Sequence, residues 1–121
     1  MTTYERLLQF AYENGIHVGS SHDPRCLGRA TNRNSITIDM GRVHTEAKAA
    51  EILAHELGHI VTDSYDAEHK AWEWAVKALT PRGEVYNALE NNDGNLWETA
   101  KELGVSYDFL RRALKYHEGV T

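Results

Sequence analysis

Apolar side chains recur along this chain with two different periods. From Thr3 to Glu13, residues Tyr4, Leu7, Leu8, Ala11 and Tyr12 fall on one stripe of a 3.6-residue repeat. That spacing predicts an amphipathic helix ended by Asn14-Gly15. Over "SITIDM", residues 35–40, apolar and polar positions alternate and β-branched residues dominate, which predicts a strand. Residues 16–33 are mixed, with "SSHDP" as a loop, short apolar pieces as candidate strands and "NRN" as a turn. Thr45 is a suitable N-cap for a long helix from Glu46 to about Val61. A loop, "TDSYD", then leads to a second helix from about Ala67 to Leu79, with Asp66 as its N-cap and Pro81 as its stop. Three shorter helices follow, near 83–91, 95–103 and 107–117, separated by "NNDGN" and "GVS". The order of helix, a few strands, then helices alone predicts an α+β fold with a small sheet packed on the long helix.

Composition narrows the picture. A chain of 121 residues, 41% apolar and 26% charged, predicts one domain with a true hydrophobic core. Its parts would be a catalytic core over 1–81 and a helical C-terminal extension over 82–121. The net charge of −5 argues against generic attraction to nucleic acid or to an anionic membrane. Cys26 is the sole cysteine, which excludes an internal disulfide and fits a reducing cytoplasm. The opening "MTTYERLLQFAYENG" has no basic n-region, and no apolar run is long enough to span a bilayer. The expectation is a cytoplasmic protein without a membrane partner.

Candidate chemistry lies in "AAEILAHELGHIVTDSYDAEHKAWEW", residues 49–74. His55 and His59 stand four apart on a predicted helix, so they face the same way and can share one ion. Glu56 lies at the side of that face. This His-Glu-x-x-His spacing serves zinc hydrolysis: the metal lowers the pKa of a water toward ~7 and the glutamate takes its proton. Catalytic zinc normally takes a third protein ligand. The long metzincin pattern is excluded, because Thr62 and Tyr65 stand where it needs Gly and His. On the next helix Glu68 ranks first, since it shares a stripe with Ala71, Trp72 and Ala75, where small residues permit close approach. His69, about 100° further round the helix, ranks second, and Asp66 third. Gly58 inside the long helix costs about 1 kcal/mol relative to Ala, which predicts a close backbone contact there.

Three segments, "ILAHELGHIV", "AEHKAWEWAVKALTP" and "LWETAKELGVSYDFLRRALKYH", resemble the ImmA/IrrE family of metallopeptidases. The closest likeness is to the compact form carried by prophages and integrative elements. It extends over roughly Ile36 to His117. The resemblance implies a minimal zincin-like fold, a Zn2+ cofactor and Glu68 as third ligand, thirteen residues before Pro81. It also implies an endopeptidase whose protein substrate is a helix-turn-helix DNA-binding repressor, cut to release the element's genes. Lys70 stands where many members carry a second glutamate.

In this reading His55, His59 and Glu68 hold the ion and Glu56 is the catalytic base. A further donor to the oxyanion would come from Tyr65, His69, Tyr86, Tyr116 or His117, with nothing in the sequence to choose among them. "SITIDM" is either an edge strand that an extended substrate joins or an interior strand. Two rival classes remain. One is a weakly catalytic partner-binding protein, an anti-repressor or toxin–antitoxin component. The other is a DNA-binding regulator, because "ETAKELGVSYDFLRRALKY" reads as a helix-turn-helix. Against the latter, Lys101, Arg111, Arg112 and Lys115 are balanced by Glu98, Glu102, Asp108 and Glu118 between residues 95 and 121. Cys26 and His22 are read as loop residues rather than extra ligands, and Trp72, Trp74 and Trp97 as core.

Overall fold

The computed structural model describes residues 1–31, 34–64 and 67–119. Among these residues nine elements follow one another: α1 (Thr3–Glu13), β1 (His17–Ser20), β2 (Gly28–Thr31), β3 (Ser35–Ile38), α2 (Glu46–Val61), α3 (Glu68–Leu79), α4 (Arg82–Asn91), α5 (Leu96–Leu103) and α6 (Tyr107–His117). The fold is α+β, with six helices and a three-stranded mixed sheet among the described residues.

Helix ends follow local chemistry. Thr2, Thr45, Asn95 and Ser106 each accept a hydrogen bond from a backbone N–H in the first turn that they cap. Gly104 closes α5 at φ +73°, a conformation that disfavours side chains with a Cβ. At α3 the N-cap position falls to Ala67, which offers no side-chain bond, and Asp66 itself lies outside the described residues. Along α1, Leu7 and Ala11 are buried and Phe10 packs beside them, whereas Tyr12, read as part of the apolar stripe, is 80% exposed.

The strand order β1-β3-β2 places "SITI" in the middle of the sheet. It pairs in parallel with β1, His17 opposite Ser35, and antiparallel with β2, Gly28 opposite Ile38. Both hydrogen-bonding sides of β3 are therefore used, and the edge-strand reading of this segment is overturned. Ile36 and Ile38 point into the core from alternate positions. They meet Leu53 and Leu57 of α2 in a cluster that takes in Leu7 and Ala11 and reaches through Ala75 and Val76 to Val85, Ala100, Leu110 and Ala113. The C-terminal helices thus share the core of the first half. Among the described residues no helix is long and apolar enough to cross a membrane.

Candidate metal centre

Helices α2 and α3 build the site, and glycine sets how closely they approach. A Cβ on Gly58 would lie 2.5 Å from the Ala71 carbonyl oxygen and 2.9 Å from its Cα. The close backbone contact expected from a mid-helix glycine is present, and its partner is α3. This approach brings Glu68, in the first turn of α3, over the histidine face of α2.

There the carboxylate bridges both rings. Glu68 Oε2 lies 2.8 Å from His55 Nε2, and Glu68 Oε1 lies 2.9 Å from His59 Nε2. One ligand atom from each of His55, His59 and Glu68 falls within 4.8 Å of the others. The histidines are recessed while Glu68 is 65% exposed, so the cluster opens outward on the carboxylate side. The second nitrogens are also engaged. His59 Nδ1 donates to the Ser64 carbonyl at 2.8 Å. His55 Nδ1 lies 3.0 Å from Glu56 Oε2.

Counting protons tests whether a cation fits. All four ring nitrogens face an oxygen, and carbonyls and carboxylates only accept. Two neutral imidazoles have one N–H each. With those on Nδ1, both Nε2 lone pairs confront Glu68 oxygens at less than 3 Å. Relief comes from two extra protons, shared among carboxylates and two rings whose centroids are 4.7 Å apart, or from one divalent cation shared by the three groups. The donor set therefore fits a metal, and two nitrogens with one carboxylate oxygen suit zinc. Orienting bonds on the far nitrogens are what a metal-ligating histidine needs. Burial alone would depress the His55 pKa, but Glu56 and Glu68 outweigh it and the net shift is upward.

Glu56 is buried at the sheet side of this corner. A Cβ on Gly28, at the start of β2, would come within 3.5 Å of Glu56 Cγ and would collide with Ile52. Glu56 Oε1 makes no hydrogen bond among the described residues.

The other residues singled out in the sequence are dispersed. His69 and Tyr116 line a groove between α3 and α6. His117 Nε2 donates to the Thr80 carbonyl at 2.6 Å, and Thr80 caps the end of α3 opposite Glu68, about 18 Å away along twelve residues of helix. Tyr86 lies on α4, with Arg82 over its ring. Tyr65 lies outside the described residues. Cys26 and His22 belong to the loop before β2. There the Cys26 carbonyl accepts from Arg42 at 2.7 Å, and His22 Nδ1 lies 3.3 Å from the buried Asp39.

Three neighbours of the cluster escaped the sequence reading. Ser64 acts through its carbonyl, placed by a loop in which Asp63 adopts φ +50°, and no residue type announces that. Trp72 stacks on His55 at 4.2 Å with an interplanar angle of 21°. Arg112 of α6 lies 3.9 Å from the Trp72 ring centroid. A helical wheel of α6 would have shown Arg111, Arg112 and Lys115 sharing one side, which the summed charge of the segment concealed. Trp97, read as core, is 68% exposed and stacks on Tyr107 at 4.0 Å.

Comparison of the chain with protein-family models, with curated proteins and with solved structures returns no match. The class that fold and site define is an α+β domain with a His-His-Glu cluster able to hold a metal ion.

Proposed function

We propose that this chain is a zinc-dependent endopeptidase of minimal zincin-like build. His55, His59 and Glu68 hold the ion, and Glu56 is the base. The observation that carries the reading is the pair of Nε2 atoms aimed at the two oxygens of one carboxylate, an arrangement that a shared cation relieves. When bound, zinc polarises a peptide carbonyl and draws the pKa of a water toward ~7. Glu56 takes the proton of the attacking water at Oε1 and delivers it to the leaving amine. Its partner oxygen, Oε2, keeps the His55 ring oriented through Nδ1. Ser64 does the same for His59.

An extended peptide would add to β2, which among the described residues pairs with β3 on one side only and begins at Gly28, against Glu56. By resemblance to the ImmA/IrrE family, the substrate is a helix-turn-helix repressor of a prophage or mobile element. The DNA-binding alternative is weakened by α6. Its would-be recognition helix lays Arg112 on Trp72 and turns toward α3 instead of standing free for a major groove.

The test is metal content and cleavage side by side. The parent protein should carry about one zinc per chain, and Glu68→Ala should lose it. Glu56→Gln should keep the zinc and lose peptide cleavage. A parent that binds no metal, or a Glu56→Gln protein that still cuts, would refute the reading.

A further inference from the structure

Beside the metal cluster, α3 and α6 enclose a groove of about 700 Å³, a size suited to a few side chains of a ligand. Its floor is apolar, with Trp72 and Val76, and its wall carries Arg111, Arg112 and Lys115. Trp72 belongs both to the groove and to the stack on His55, so the groove and the cluster are neighbours that share one ring.

The charges of this wall are unmatched. Among the described residues none of Arg111, Arg112 and Lys115 forms an ion pair with a carboxylate. Of the two carboxylates that line the groove, Glu73 is paired with Lys77 at 3.1 Å, which leaves Asp108 against three cations. In a chain of net charge −5 this is a locally positive surface. Arg112 is held over Trp72, while Arg111 lies 5.8 Å from the Tyr107 ring centroid, so two of the three guanidinium or ammonium groups rest on aromatic faces.

We propose that this groove is a specificity subsite for an acidic segment of the peptide substrate, in which carboxylates meet Arg111, Arg112 and Lys115 and an adjacent apolar side chain packs on Trp72 and Val76. Cations in a fixed fork, next to an apolar floor, recognise carboxylates by charge-assisted hydrogen bonds while the floor takes the neighbouring side chain. The proposal rests on the peptidase reading. A nucleic-acid strand is the poorer occupant, since the rest of the surface would repel its phosphates.

Binding separates this claim from catalysis. A short fluorescein-labelled peptide with a Glu-Leu-Glu-Tyr centre, and its Gln-Leu-Gln-Tyr counterpart, are titrated by anisotropy into the full chain carrying Glu56→Gln. Zinc content is measured on the same sample. The acidic peptide should bind about tenfold more tightly at low ionic strength, with the advantage shrinking in high salt. Arg111→Glu with Lys115→Glu, both exposed and outside the Trp72 stack, should abolish the preference while the circular dichroism and the zinc content stay as in the parent. Equal affinity for the two peptides, no binding of either, or a preference that survives the double substitution would overturn the proposal. So would displacement of the acidic peptide by duplex DNA at lower concentration than by unlabelled peptide. A preference found in a protein that holds no zinc would uphold the groove and fail only the peptidase reading.

Discussion

At the residue scale, Gly58 decides how near Glu68 comes to the histidines. Adding a methyl there gains about 1 kcal/mol of helix propensity. It also forces the Ala71 backbone away from contacts of 2.5 to 3.0 Å, and overpacking of that kind costs roughly 1–3 kcal/mol. Gly58→Ala should therefore lower stability by about 1 kcal/mol net, read by urea unfolding, and should weaken zinc binding because α3 carries Glu68. Unchanged zinc affinity would mean that Glu68 follows the ion rather than the helix spacing. His55 gives a pH prediction. In metal-free protein its folded pKa is raised by Glu56 and Glu68 against the opposing effect of burial. The contacts thus stabilise the fold below the unfolded value of about 6.5, and this contribution fades as pH rises through the higher folded value. Metal runs the other way, because protons compete for Nε2. The apparent zinc affinity should start to weaken as acidification passes the raised His55 pKa, above the ordinary histidine value. An NMR titration of the His55 ring without metal, beside zinc affinity against pH, checks both directions.

At the element scale, α2 organises the molecule from both of its faces. One carries the histidines. From another, Glu51 accepts hydrogen bonds from the Ser106 backbone N–H at 2.7 Å and the Ser106 hydroxyl at 2.8 Å, although its side chain is buried. This carboxylate fastens the N-terminus of α6, where a negative charge also suits the helix dipole. Glu51→Ala strips the partners from a buried N–H and hydroxyl and should cost about 2–3 kcal/mol. Glu51→Gln, which keeps one acceptor oxygen, should recover part of that. Equal loss in both variants would show that the charge, rather than the hydrogen bonds, holds α6 in place. The strands illustrate a limit of the sequence. Alternation over "SITIDM" reveals a strand with one buried face, yet a strand with the same alternation can lie at the edge or the centre of a sheet. Only the pairing of β1 and β2 on its two sides settles that it is central.

For the whole molecule, the shared core bears on how far the C-terminal helices can be separated from the rest. Val85, Leu110 and Ala113 are fully or almost fully buried in the same cluster as Leu53 and Leu57. A fragment ending at residue 81 should expose that cluster, lose its near-UV circular dichroism and melt without a cooperative transition. A fragment that melts cooperatively would show that residues 1–81 fold independently of the helices that follow. Charge is also a property of the whole. A net value of −5 coexists with a positive groove, because Arg111, Arg112 and Lys115 are collected on one side of α6, where Asp108 is the single acidic residue of the segment that lines the groove with them.

What the sequence determined by itself is whatever depends on neighbours a few residues apart. Helix periods, the Thr45 cap, the alternation of β3 and the common direction of His55 and His59 all follow from local geometry, and the element boundaries match the structure to within a residue or two. Tertiary structure decided what depends on contacts between elements. Glu68 and His69 are adjacent in the chain and chemically suited alike, and the docking of α3 on Gly58 turns Glu68 toward the histidine pair and His69 toward the groove. The bond from His59 to the Ser64 carbonyl, the grip of Glu51 on α6 and the Arg112–Trp72–His55 stack likewise join residues whose separation in sequence carries no period. Local rules fix where a side chain points from its own helix, and only packing fixes what it meets there.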